Sequence, residues 1–134
     1  MSEQASRETS VREWLAYAKA DRKATKALFE RGLYSTCAFH CQQAVEKLLK
    51  AAIVAQAGKR PPYEHNLWIL RQQLTLDLPE RIEQHLATLS PHYITSRYPV
   101  GVEVGYDETI VRQLLTCVES VFQWFMSRLD LNDE

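Results

Sequence analysis

Apolar positions along the chain recur mostly at helical spacing. Val11, Trp14, Leu15, Ala18, Thr25 and Leu28 fall on one face of a first helix, with Arg12, Lys19, Arg22, Lys23 and Lys26 mostly off that stripe. Ser10 followed by Glu13 fits a capping box for its start, and Gly32 ends it. A second helix is predicted from about Tyr34 to Ala57. Cys37, Ala38, Cys41, Ala44, Val45, Leu48, Leu49 and Ala52 form a stripe of the width a bundle requires. Glu46 and Lys50 make an i,i+4 pair in the favourable order, and Gly58 suits the position after the last turn.

Lys59-Arg60-Pro61-Pro62 reads as a connection. A shorter helix follows over Tyr63 to Gln73, with Leu67, Ile69, Leu70 and Leu74 as candidate core. Another begins near Pro79, a favourable first-turn residue, and carries Ile82, Leu86 and Leu89. The helical pattern then lapses from Pro91 to about Tyr106, where Val100, Val102 and Val104 alternate as a short extended piece would. The last helix starts near Asp107. Ile110, Val111, Leu114, Leu115, Val118, Phe122, Phe125 and Leu129 mark its buried face, and Asp107-Glu108 favours its dipole.

These segments predict an all-α protein, an up-and-down four-helix bundle with an additional short helix. Residues 1–8 are expected to be a flexible N-terminus and 9–130 a single helical domain. The stripes are full enough that a homodimer is expected to bury what one small bundle leaves exposed.

Composition narrows the function. The 134 residues are 46% hydrophobic with a net charge of −1. The charge is unevenly placed: residues 1–60 hold 11 Lys and Arg against 6 Asp and Glu, while 61–134 hold 5 against 11. Either the halves attract one another or the first helices offer a basic surface to phosphate. No apolar run reaches the length of a membrane span, and MSEQASRETS has no signal-peptide core, so a cytoplasmic protein is expected. Three irregularly spaced cysteines are expected to stay reduced. Cys37, His40 and Cys41 do not converge as metal ligands on a helix, so the thiols are read as small core residues; no metal and no cofactor is expected.

Two stretches carry candidate chemistry. Arg60 and His65 are separated by four residues. With 4 His, 10 Arg and four to six intervening residues allowed, about 0.9 such pairs arise by chance, so this one weighs little. The default role of His65 is a helix-start residue bonding local backbone. In Tyr93-Ile-Thr-Ser-Arg-Tyr-Pro99, Arg97 can grip phosphate bidentately, while Tyr93 and Tyr98 can stack on a base. The alternative is that Arg97 pairs with an acid and the tyrosines lock the loop to the bundle.

CAFHCQQAVEKLLKAAI, then HNLWILRQQL, then YITSRYPVG, together resemble the short prokaryotic HEPN-domain proteins over about residues 11–129. Ala38, Phe39, Gln42, Gln43, Ala44, Glu46, Lys47, Leu49, Lys50 and Ala51 match, followed by His65, Leu67, Tyr93, Ser96, Arg97, Tyr98 and Pro99. The resemblance implies a helical bundle, usually dimeric, that binds nucleotide or RNA. It further implies a toxin-like role beside a minimal nucleotidyltransferase partner. Arg97, Tyr98, Tyr93, Ser96 and Lys47 are the nucleotide-binding candidates. Catalytic members cut RNA with an Arg-x(4–6)-His motif near the start of the last long helix. That helix has no His here, so Arg97, His65 and His92 are only weak catalytic candidates, for a noncanonical ribonuclease. A non-catalytic interaction module is the remaining alternative.

Overall fold

The computed structural model describes residues 2–96 and 105–129. Six helices follow one another: α1 (Glu3–Glu30), α2 (Tyr34–Ala57), α3 (Leu67–Arg71), α4 (Glu80–Leu89), α5 (His92–Thr95) and α6 (Glu108–Arg128). The described residues contain no strand. The fold is the expected all-helical bundle.

The central element is α2, which packs against each of the other helices. Its sequence explains why: 15 of its 24 residues are buried, far more than one stripe, as befits a helix enclosed on several sides. Ala38, Ala44, Ala51 and Ala52 let neighbours approach closely, while Leu48, Leu49 and Ile53 fill the space between them. From α6, Phe122 and Phe125 are the largest fully buried side chains and close the core. Cys37, Cys41 and Cys117 are all buried free thiols, and Cys37 Sγ lies 3.2 Å from the Thr25 carbonyl.

Helix ends follow local chemistry. Asp107 caps α6 by accepting from the Ile110 amide at 2.9 Å, and Pro79 precedes α4 as expected. Gly58 ends α2 at φ +66, a conformation that L side chains avoid. The Arg7 guanidinium also lies against its Cα, where a Cβ would collide with it.

Three boundaries differ from the sequence reading. The start of α1 is at Glu3 and its cap is Ser2, whose Oγ accepts from the Ala5 amide; Ser10 sits inside the helix. Good helix formers after Ser2 extend the helix through residues that carry no apolar stripe. The third helix begins four residues later than Tyr63, because Asn66 caps it by accepting from Trp68 and Ile69. As a result Ile69 is 42% exposed rather than core, while Leu67, Leu70 and Leu74 are buried. Finally, the segment after Pro91 opens with the short helix α5, whereas the alternating Val100–Val104 lie outside the described residues.

Interhelical ion pairs add to the packing. Arg22 of α1 grips Glu119 of α6 with two nitrogens, at 2.8 and 2.5 Å. Arg71 of α3 reaches both oxygens of Glu83 on α4.

Candidate functional site

One flank of α2 buries polar side chains where the bundle pattern calls for apolar ones. Gln42 and Glu46 are 0% and 3% exposed, and Gln43 and Lys50 are also buried. Such groups are tolerated only when bonded. The bonds are made around the Glu46 carboxylate. It accepts from Gln43 Nε2 at 3.0 Å, from Lys50 Nζ at 3.2 Å, from Gln42 Nε2 at 3.3 Å and from His65 Nδ1 at 3.1 Å. Gln42 Nε2 also donates to the His65 carbonyl at 2.8 Å. His65 is thus held twice from α2, through its ring and its backbone.

This overturns the local role expected for His65. Its backbone N–H does bond nearby, to the Glu64 carboxylate, but its ring reaches back 19 positions to α2. A carboxylate can only accept, so Nδ1 carries the hydrogen and Nε2 faces away from Glu46. Nothing among the described residues bonds Nε2, and 36% of the side chain is exposed. The neutral ring therefore offers Nε2 as an acceptor, and the protonated ring offers it as a donor.

Tyr93 fixes the plane of that ring. The two are stacked at 4.0 Å between centroids and 13° between planes. Tyr93 also meets Phe39 at 6.0 Å, and Phe39 meets His40 edge-on at 5.3 Å. Through this aromatic run α5 is docked on α2. His40 Nδ1 bonds Asp21 at 2.7 Å, and Lys47 Nζ reaches the other oxygen of Asp21 at 2.5 Å. Lys47 and Lys50 lie over the rings of Tyr17 and Trp14, at 5.9 and 5.2 Å.

The candidate residues divide as follows. His65 and Tyr93 are in direct contact, and Lys47 joins them through Asp21, His40 and Phe39. His92 points elsewhere: its Nδ1 bonds the Tyr106 hydroxyl at 2.6 Å, tying α5 to the residues before α6. Burial holds the His92 pKa below its ordinary value, against a backbone hydrogen bond with Thr88. Burial likewise pushes Tyr106 up. Ser96 donates to the His92 carbonyl. Arg97 and Tyr98 lie outside the described residues.

Gln42, Gln43 and Glu46 match the family pattern but were not among the expected site residues, and Asp21 was in neither group. The available signal was in α2 itself: polar residues at 42 and 46 interrupt an otherwise apolar flank, one turn apart. No three His, Cys, Asp or Glu side chains among the described residues are grouped to hold a metal ion. No helix among them is long and apolar enough to cross a membrane.

Comparison with solved structures gives two similar folds. One is the TT1696 protein from Thermus thermophilus, with a TM-score of 0.79 and 23% identity, covering 88% of this chain and 97% of that one. The other is ST0689, described as an archaeal HEPN homologue, with a TM-score of 0.72 and 25% identity, covering 89% of this chain and 97% of that one. No curated protein matches the chain. The HEPN domain model matches residues 11–129, nearly the whole of the bundle and both halves of the His65 cluster, and the chain belongs to the HEPN domain family.

Proposed function

We propose that this protein binds nucleotide or RNA at the His65–Tyr93 end of the α1–α2 surface. The observation that carries the reading is the His65 imidazole, positioned by a buried carboxylate and a stacked tyrosine, with Nε2 left for an outside partner. Burying Gln42, Glu46 and Lys50 to hold one partly exposed ring is costly unless that ring has work to do. A phosphate oxygen or a ribose hydroxyl is the fitting partner for such a nitrogen. Arg97, next in the chain after Ser96, supplies the bidentate phosphate contact in this proposal, and Tyr98 stacks on a base. Lys47 stands beside Tyr17 with its charge paired to Asp21. Homodimerisation, a toxin-like role and pairing with a minimal nucleotidyltransferase are parts of the same proposal, drawn from the family resemblance.

The test is equilibrium binding of a fluorescent oligoribonucleotide, followed by anisotropy. His65→Ala and Arg97→Ala should each weaken binding, with Arg97→Ala leaving stability within about 1 kcal/mol of wild type. Wild-type affinity should fall with added salt. Unchanged affinity in both variants defeats the proposal.

The Glu46–His65 pair favours one second reading, metal-independent RNA cleavage. A carboxylate-oriented imidazole is the arrangement needed to take the 2′-hydroxyl proton, with Arg97 stabilising the charged phosphorane. Cleavage in the presence of chelator, lost in His65→Ala but kept in His92→Gln, would support it. Intact RNA after prolonged incubation leaves binding alone.

A further inference from the structure

The opposite end of the α1–α2 seam holds a cavity of about 420 Å³, where Arg7, Lys59 and Arg60 line the wall together with the Glu3 carboxylate and the Ser10 hydroxyl. Three cations face one carboxylate there. Among the described residues neither Arg7 nor Arg60 has an acidic partner within ion-pair distance, while Lys59 Nζ donates to Gln73 Oε1 at 2.9 Å. Gly58 adds to the design. Its lack of a Cβ leaves room for the Arg7 guanidinium beside the turn that ends α2.

The cavity and the His65 cluster share one surface. On α1, Arg7, Ser10, Trp14, Tyr17 and Asp21 follow at three- and four-residue steps, a single face. On α2, His40, Lys47, Lys50, Val54 and Gly58 run antiparallel beside them. Asp21 meets His40 and Lys47, Tyr17 meets Lys47, Trp14 meets Lys50, and Arg7 meets Gly58. From Arg7 to Asp21 this seam rises about 21 Å.

We infer that the Arg7–Arg60 cavity is a second phosphate subsite for a single-stranded nucleic acid, engaged only by a strand long enough to run the seam from the His65 end. The inference rests on the RNA-binding reading above. Phosphate suits the cavity because two guanidiniums with no acidic partner among the described residues can each fork to non-bridging oxygens, and Ser10 lines the same cavity with a hydroxyl. Between the two ends a strand would cross the exposed Tyr17 and the partly buried Trp14, rings of the kind on which bases stack in single-strand binding.

The experiment compares Arg7→Gln/Arg60→Gln with wild type, using a mononucleotide and an eight-nucleotide oligoribonucleotide, each titrated over a range of salt. Thermal melts check that the variant is folded. The expected result is unchanged mononucleotide affinity and about tenfold weaker octamer binding at low salt. The log–log salt slope for the octamer should become shallower by about 1.4, for two lost phosphate contacts on a single strand. Octamer binding equal to wild type, with the same slope, overturns the second subsite and leaves the first reading intact. Wild-type protein that binds neither ligand defeats both. Equal weakening for mononucleotide and octamer also overturns the inference, since it would place the cavity at the primary site.

Discussion

Removing the Glu46 carboxylate should be the most informative single perturbation. In Glu46→Ala the Lys50 ammonium remains buried, 7% exposed, without its partner, and the Gln43 amide loses one of its two acceptors. Breaking a buried ion pair from one side costs about 3–5 kcal/mol. For a domain of this size each kcal/mol is worth about 3–5 °C in melting temperature, so the midpoint should fall by about 10–20 °C. Thermal melting followed by far-UV circular dichroism measures the fall in midpoint, and urea denaturation measures the free-energy loss. The double variant Glu46→Leu/Lys50→Met removes both charges and keeps the volume, so it should recover most of the loss. It should not recover RNA binding, because His65 would still lack its carboxylate. If Glu46→Ala cost less than about 1 kcal/mol, the carboxylate would be behaving as an exposed group and the buried network would not exist as described.

Three further expectations are simpler. Arg22 holds Glu119 below the ordinary carboxylate range, chiefly by its hydrogen bonds. That stabilisation is present above the unfolded pKa of Glu119 and lost as pH falls through the folded one, so Glu119→Gln should flatten the acid limb of a stability–pH curve, with a loss under about 1 kcal/mol at neutral pH because the pair is partly solvated. His92 is depressed by burial, so the unfolded chain takes up its proton first and stability should fall as pH drops below the ordinary histidine value; His92→Gln should remove that portion of the slope in urea titrations at stepped pH. Burial pushes the Cys117 thiol up, and all three cysteines are enclosed. A thiol reagent should therefore label the native protein slowly and the urea-unfolded protein at once, with fast native labelling contradicting the packing.

Much of the bundle is legible in the chain because the relevant signals are local. The α2 stripe, the Gly58 stop, Pro79 before α4 and Asp107 before α6 each depend on a few neighbouring residues. Ser2 was hidden by a more conspicuous capping box at Ser10 and Glu13, and only the continuation of helix-favouring residues separates the two. Ile69 fell on the expected stripe but turned outward once Asn66 set where α3 begins. The site is harder to read. Glu46 and Lys50 have the spacing of an ordinary surface pair, and nothing in sequence says that Trp14 and His65 meet them in a buried cluster. The partner of His65 lies on another helix, so no spacing rule points to it. The Gln42-Gln43 pair, interrupting an apolar flank, marks the place without revealing its purpose. The hydrophobic pattern supplied the fold and the family resemblance agreed with it; nucleotide or RNA as ligand is what that resemblance implies, and the Glu46–His65–Tyr93 arrangement came from the coordinates.

The central claim is that His65 meets the ligand through Nε2 while Glu46 keeps Nδ1. Nitrogen NMR of the histidine side chains during titration with an oligoribonucleotide tests this most directly. The account predicts a shift of the His65 Nε2 resonance that saturates with binding, a near-constant Nδ1, and little change at His92. Saturable RNA binding with both His65 nitrogens unmoved would contradict it.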